Sequence, residues 1–542
     1  MTQTQDGSMN GARSLFKALV DAGLSTCFTN PGTSEMQLVY EMGRTDAVRP
    51  VLCLQEDVAT GAADGYGRIA GEPAFTLLHV ACGFANGIAM LHNAARARTP
   101  VVNVVGTNAS YHQANFPEHE LVNGRVADLA RAVSHWCGES RSGTHLGALG
   151  AEAAALARAG KVCTIVAAND HHWQDASPPP TPPPPSGRPR VAAEAVARAA
   201  GMLTNGRKTG LMLGGLALHG EALEDAGRLA AGVGATLLAE TFPSRFLARG
   251  EGRPYVAPIP YEFEMGVAFL ETFEQLILVG SGPPVATFAY KGRPTFKSPP
   301  GCATFALASA DDDVEAALRD LVEAAGAGGA TIARQPRTEA EAPSGELTAG
   351  SIGRTLARLL PAGAILVDEA NTNSPALFAA TRGARAHDYL NPATGGAIGG
   401  GLPLALGAAV ARPDRKVVLL QADGSGMYTV PALWSMAREK ADVVVVVLRN
   451  DAYAILDLEM ARVRDGETNA KMRSMLDLRD PALDWTQLAA GAGVPATRAA
   501  TAEDFDRQFA AALAAPGPHL IECRVAVPEE FLALEDAIHR AR

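Results

Sequence analysis

Cysteine is scarce and scattered: seven residues, at 27, 53, 82, 137, 163, 302 and 523, with no CxxC or CxxH spacing. That excludes a disulfide framework and the usual zinc-site patterns, and fits a reducing cytoplasm. Positive charge is the minority sign, 47 Lys+Arg against 58 Asp+Glu, for a net charge of −11. A chain of that balance is not expected to partner nucleic acid or an anionic membrane surface, both of which attract basic proteins. No apolar run approaches the ~18–20 residues of a membrane-spanning helix. The opening stretch MTQTQDGSMNGARS also lacks the basic-then-apolar pattern of a signal peptide. The expectation is a cytoplasmic protein with no membrane and no nucleic-acid partner.

What the chain does have is length and apolar content. Its 542 residues are 47% hydrophobic, enough for about three buried cores at ~100–200 residues per domain. Two composition breaks divide it. Residues 176–190 carry eight prolines, seven of them in 178–185 and interrupted there only by Thr181, which predicts a stiff, extended spacer. Residues 326–347 are rich in Ala, Gly, Glu and Thr and read as a second linker. The predicted domains are therefore 1–175, 191–325 and 348–542.

Within each, short apolar runs alternate with Ala/Leu-rich stretches of helical period. Examples are AFTLLHV (74–80), VVNVVG (101–106) and VCTIVAA (162–168), then LILVG (276–280) and ATFALA (303–308), then AILVDE (364–369), KVVLLQAD (416–423), DVVVVVLRN (442–450) and HLIECRV (519–525). Continuous rather than alternating runs indicate strands covered on both faces. The predicted fold class is α/β: three domains, each a mainly parallel sheet flanked by helices.

Ligands of open parallel sheets bind at the carboxyl ends of strands, so the residues following each run carry the chemistry. Asp423-Gly424-Ser425 follows one strand, and Asn450 ends the next, 27 residues on. A carboxylate and an amide oxygen at neighbouring strand ends suit a hard divalent cation with a phosphate nearby. A strand–turn–helix connection with an Asx cap uses the same residues without binding anything. Glu56 stands where a strand becomes a small-residue helix, among apolar neighbours; it reads as a proton-exchanging acid or as an acid stabilised by the helix dipole. His79 and the loop Asn30-Pro31-Gly32-Thr33-Ser34-Glu35 place polar groups at the same edge, where a structural histidine and a simple turn are the plainer readings. Gly395-Gly396-Ala397-Ile398-Gly399-Gly400-Gly401 permits close backbone approach to a ligand, or tight helix packing. No GxGxxG follows a strand, which tells against a nucleotide-linked dehydrogenase.

Taken together, Glu56 with GxADGYxR, His79 with Gly83 and Asn86, GGxIGxxxP, and DGS followed by Asn450 resemble the thiamine-diphosphate-dependent 2-oxo-acid enzymes. The branch is the acetolactate synthase large subunit and its benzoylformate decarboxylase-like relatives, and the likeness runs from about residue 10 to 526. The resemblance implies a pyrimidine-binding domain first, a central domain, and a diphosphate- and Mg²⁺-binding domain last. It implies a homodimer or homotetramer, with each thiamine diphosphate between the first domain of one subunit and the third of another. Asp423, Asn450 and the carbonyl of Ala452 match the Mg²⁺ ligands. Gly424, Ser425, Asn371 and Thr372 match diphosphate contacts. Gly396, Ile398 and Asn86 match further cofactor contacts, and Glu56 matches the acid at the aminopyrimidine ring. His79 and Thr33 fall where relatives carry catalytic pocket groups; Glu35, His112, Ile455 and Glu459 fall around the substrate pocket.

The implied activity is decarboxylation or carboligation of a small 2-oxo acid through an enamine intermediate. An acetolactate synthase-like enzyme is the leading form. A benzoylformate decarboxylase-like enzyme and a non-catalytic cofactor-binding relative are the alternatives. Departures are visible: Ala422 replaces the first glycine of GDG, and Gln55 the histidine before the family glutamate. No histidine occurs in 284–290, where benzoylformate decarboxylase has a second catalytic one. The flavin-binding pattern is not recognisable in 191–330, so FAD is left open.

Overall fold

The structure, a computed structural model, describes residues 8–184, 187–463 and 467–540. Residues 1–7, half of the stretch read for a leader, lie outside them, as do Pro185 and Ser186 of the proline run. The first strands are β1 (Thr26–Asn30), β2 (Arg49–Leu52), β3 (Ala74–Leu78), β4 (Val101–Thr107), β5 (Trp136–Glu139) and β6 (Val162–Ala168). They form one sheet in the order β2-β1-β3-β4-β6-β5, parallel throughout. Helices cover both faces, as continuous apolar strands require. Leu15, Phe16 and Leu19 of the helix Gly11–Asp21 and Leu146 and Ala153 of the helix Gly143–Ala157 bury against Phe75, Val102 and Ile165. Asn10 and Ser142 start these helices by accepting from the amides of Arg13 and His145 at 2.8 and 3.1 Å.

The middle strands are β7 (Thr209–Leu213), β8 (Thr236–Ala239), β9 (Leu247–Arg249), β10 (Ala257–Pro258), β11 (Gln275–Val279) and β12 (Ala303–Ala308). Five of them make a second parallel sheet, β10-β8-β7-β11-β12. The last strands are β13 (Ala364–Glu369), β14 (His387–Leu390), β15 (Val417–Ala422), β16 (Val443–Arg449), β17 (Ala496–Ala499) and β18 (His519–Arg524). Here β17-β18-β16-β15-β13 run in that order, all parallel. The three mainly parallel sheets match the predicted fold class.

The compact units are cut differently from the three predicted segments. One comprises Met1–Pro185, Glu339–Thr381 and Gly395–Arg542; the other comprises Ser186–Thr338 and Arg382–Thr394. Two physical reasons account for this. First, β14 pairs antiparallel with β9, Asp388 opposite Ala248, which draws 382–394 out of the expected third domain. Second, the helices Glu56–Ala70 and Gly401–Ala411 fuse the first and last sheets through small residues. A Cβ at Gly65 would lie 2.2 Å from the Leu404 carbonyl oxygen, and one at Gly407 would lie 1.9 Å from that of Ala62. The stretch read as a second linker, 326–347, has no helix and no regular strand, but it is tied down: Arg334 donates to the Gly252 carbonyl at 2.8 Å and pairs with Glu224. Among the described residues no helix is long and apolar enough to cross a membrane.

Candidate active site

Two clusters at strand ends, both within the first unit, hold most of the residues singled out by sequence. The first follows β15 and β16. Asp423 is buried at 1% exposure; its Oδ1 accepts from the Gly424 amide at 2.9 Å and its Oδ2 from the Asp451 amide at 2.8 Å. Burial pushes its carboxyl above the ordinary range, and those two amides pull it back. Asn450 presents its Oδ1 to the Ala452 amide at 3.1 Å. Asp451, between them, holds a left-handed backbone at φ +57°. Its carboxylate is engaged by Arg449, which also reaches Glu522 at 2.8 Å. Tyr453 and Leu478 donate to the carbonyls of Leu476 and Asp451 and brace the strand end. The Ser425 hydroxyl accepts from Gln421 at 2.8 Å and from Asn371 at 3.3 Å; Asn371 is itself left-handed at φ +52°, and Thr372 follows it in the same short turn.

Among the described residues no three His, Cys, Asp or Glu side chains cluster as a metal site. A cation here would rest on one carboxylate plus amide and carbonyl oxygens. That donor set is oxygen only, and it fits Mg²⁺ completed by a diphosphate.

The glycine segment is pinned from two sides. Glu369, at the end of β13 and 2% exposed, accepts from the amides of Gly399 and Gly401 at 2.6 and 2.8 Å and from Gln421 at 2.9 Å. Burial raises its carboxyl pKa against those three donors. From the other side Asn93 donates to the Ala397 carbonyl at 2.8 Å and accepts from its amide at 3.2 Å. Between the pins Gly396 sits at φ +88° with open space where a Cβ would point, and Ile398 is half-buried. Glu369, Gln421 and Asn93 were not singled out by sequence.

The second cluster follows β1, β2 and β3. Glu56 is the first residue of its helix, 9% exposed, and accepts from Asn86 at 3.1 Å. Gly83 stands between Glu56 and His79: a Cβ there would be 2.9 Å from Glu56 Oε1 and 3.3 Å from His79 Cβ. His79 Nδ1 lies 2.7 Å from Glu35 Oε2, which also accepts the Gly32 amide at 3.1 Å. Glu35 is fully buried, which raises its pKa, while the His79 hydrogen bond lowers it. Thr33 opens the same short turn as Glu35. The residue after His79, Val80, is held at φ +39°, an unusual conformation for a β-branched side chain.

The other residues read into the substrate pocket lie on the loop after β4 and on the helix Ala454–Val463. His112 is exposed, with Nδ1 3.3 Å from the Asn115 amide nitrogen. Ile455 packs toward Phe531 in a small cluster with Leu458. Glu459 pairs with Arg462 at 3.4 Å. A different histidine, His119, meets His79, their rings 5.1 Å apart and 74° inclined. It lies 40 residues further along, in a loop without periodicity, and no sequence signal marked it.

The fold and these two strand-end clusters define a cofactor-dependent α/β enzyme. The chain belongs to the thiamine-pyrophosphate-dependent enzymes: the family's N-terminal TPP binding domain matches residues 9–127 and its C-terminal TPP binding domain residues 373–523. It is 43% identical over 527 residues to IlvX of Mycobacterium tuberculosis, which carries the name of an acetolactate synthase large subunit; the match covers 96% of this chain and 99% of that one. It is 29% identical to benzoylformate decarboxylase of Pseudomonas aeruginosa, over 92% of this chain and 96% of the relative. Among solved structures, the thiamine diphosphate-dependent 4-hydroxybenzoylformate decarboxylase of Rhodococcus jostii RHA1 superposes with a TM-score of 0.83 at 26% identity, covering 96% of this chain and all of that one.

Proposed function

We propose that this protein is a thiamine-diphosphate- and Mg²⁺-dependent lyase or transferase that acts on a small 2-oxo acid, by decarboxylation, carboligation or both. The observation that carries the reading is the pair of strand-end clusters in a chain of this family: an acid with an amide partner at one, an oxygen-only donor set beside a glycine-led turn at the other. In this reading Asp423, Asn450 and the Ala452 carbonyl hold Mg²⁺, and Gly424, Ser425, Asn371 and Thr372 hold the diphosphate. Gly396 and Ile398 support the cofactor's middle, on a segment kept in place by Glu369 and Asn93. Bound thiamine diphosphate supplies a carbanion that serves as the electron sink for cleaving the bond to the carboxylate. Glu56, oriented by Asn86, holds and returns a proton at the aminopyrimidine ring. His79, its Nδ1 engaged by Glu35, turns its other ring nitrogen to the substrate.

The pyrimidine end is assigned to 1–175, the diphosphate end to 348–542, and 191–325 to a central domain. The active oligomer in this reading is a homodimer or homotetramer with sites between subunits. A benzoylformate decarboxylase-like decarboxylase is the second reading, favoured by the Glu35–His79 pair at the strand end.

The test is a panel of 2-oxo acids with added thiamine diphosphate and Mg²⁺, scoring CO₂ and carboligation products, run beside Asp423→Ala. Wild type should turn over at least one acid. The variant should fold but lose cofactor affinity by calorimetry. Unchanged affinity in Asp423→Ala removes the metal assignment, and a wild type that converts no acid removes the activity.

A further inference from the structure

We propose that His119 is a substrate-contacting, specificity-determining residue, which with His79 forms a two-imidazole site for the carboxylate of the 2-oxo acid. The proposal rests on the reading above and extends it to a residue outside every family pattern noted in the sequence.

The geometry starts from His79. Glu35 Oε2 lies 2.7 Å from Nδ1, which leaves Nε2 as the ring nitrogen that addresses a ligand. The ring cannot easily swing away: it lies flat against Gly32, where a Cβ would come within 2.1 Å of Cγ and Nδ1. Its other neighbours are Gly83 and, beyond it, Glu56. The imidazole is therefore fixed beside the acid assigned to the cofactor.

His119 is brought to this fixed ring by a loop built for the purpose. After β4 the chain is clamped at Ser110, whose amide and hydroxyl both donate to Asp170, at 2.8 and 2.7 Å. The loop then folds back on itself, because Asn108 donates to Glu120 at 2.8 Å and Gln113 to the Asn108 carbonyl at 2.9 Å. Glu120 is the next residue after His119, so the Asn108–Glu120 bond sets where His119 stands. The result is an edge-to-face contact of two imidazoles, 5.1 Å between centroids and 74° between planes. His112, from the same loop, is left in solvent. With Nδ1–H given to Glu35, His79 offers an N–H at Nε2 in its doubly protonated form, and in that form the two inclined rings present donors from two directions to one small anion. The carboxylate of a 2-oxo acid matches that in charge and size.

The test uses the holoprotein, with thiamine diphosphate and Mg²⁺ present. Diethyl pyrocarbonate modification of histidines is followed by peptide mass spectrometry, with and without pyruvate, 2-oxoglutarate or benzoylformate. At least one acid should slow modification of His79 and His119 together, about 5-fold or more, while exposed His112 reacts at its former rate. Modification of His119 at an unchanged rate with all three acids overturns the proposal.

Kinetically, His119→Ala should raise KM for the best acid by about 10- to 100-fold, the range for losing a hydrogen bond to a charged group. It should leave kcat within about 3-fold and cofactor affinity unchanged. His119→Gln, which restores an N–H donor, should recover part of the loss. An unchanged kcat/KM in His119→Ala also overturns the proposal. If the acids protect both histidines but none is converted, the two-imidazole site stands and the proposed activity falls.

Discussion

Replacing Glu369 by Leu tests whether the glycine segment is held by one buried carboxylate. The wild-type group receives three hydrogen bonds, from Gly399, Gly401 and Gln421, and is 2% exposed. Leucine is of similar size and leaves those three donors without their acceptor. A buried donor left unsatisfied costs ~1–3 kcal/mol. Removing a carboxyl whose burial raises its pKa offsets part of the sum. The loss at each glycine amide corresponds, at ~1.4 kcal/mol per tenfold, to local opening about 5- to 150-fold more frequent. Hydrogen–deuterium exchange read by mass spectrometry over 395–404 measures this directly. The core strand β6 serves as the internal reference, since its seven residues are all buried. Glu369→Gln, which keeps one acceptor oxygen, should fall between wild type and Glu369→Leu. Exchange at Gly399 and Gly401 as slow in Glu369→Leu as in wild type would refute the reasoning, and the segment would then be held by Asn93 and packing alone.

Two further perturbations test the core around Glu56. Burial lifts the Asp57 carboxyl to about 6 from its ordinary 3.8; a raised carboxyl binds its proton more tightly when folded, so its stabilising contribution is complete below about pH 4 and is lost as pH rises through about 6. Asp57→Asn should flatten thermal stability across that window, by an amount on the order of 3 kcal/mol at most, and a pH–melting curve parallel to wild type would refute it. Asp64 and Arg68 are both 0% exposed and joined by two hydrogen bonds of 2.9 Å; Arg68→Met should lower stability by ~3–5 kcal/mol because it leaves a buried carboxylate. The double replacement Asp64→Leu with Arg68→Met should recover much of that in urea denaturation, and a single variant with an unshifted midpoint would show that the pair contributes little.

Strands were legible where apolar residues dominate a run of six or seven. VCTIVAA, ATFALA and AILVDE coincide with β6, β12 and β13 to the residue; β6 and β13 are buried along their whole length, whereas β12, expected to be covered on both faces, is a sheet edge with Ala303, Thr304 and Ala306 exposed. β1, TCFTN, escaped because two threonines break its apolar run; in the fold Thr29 satisfies its hydroxyl on the Leu77 carbonyl at 3.0 Å. β5 and β17 are short and lie at sheet edges, where a strand need not be apolar. The family-pattern residues could be named because their order along the chain is itself the signal. Their supports could not, because Glu369, Gln421 and Asn93 act across 30, 52 and 304 residues of sequence, and separation of that kind leaves no periodicity. His119 shows the same limit from the other side: the sequence pointed to His112, seven residues earlier, whereas the fold brings His119 to His79 next to the Asn108–Glu120 bond.

The crossing of the helices Glu56–Ala70 and Gly401–Ala411 has a mechanical consequence. At the crossing, backbone meets backbone: the atoms facing Gly65 and Gly407 are main-chain atoms of Leu404, Ala62 and Tyr66. No side chain there can rotate to absorb an added methyl group, so any bulk must be taken up by displacing one whole sheet against the other. Glu56 begins the first helix, and the turn carrying Gly396 and Ile398 leads into the second. The junction therefore behaves as the fulcrum of a pair of levers, with the residues assigned to the two ends of the cofactor at their tips. Mutational sensitivity should be high at this fulcrum although it touches neither ligand nor solvent. A sub-ångström change at Gly65 or Gly407 would reach Glu56 and Ile398 as a change of aim, leaving every local contact around them intact.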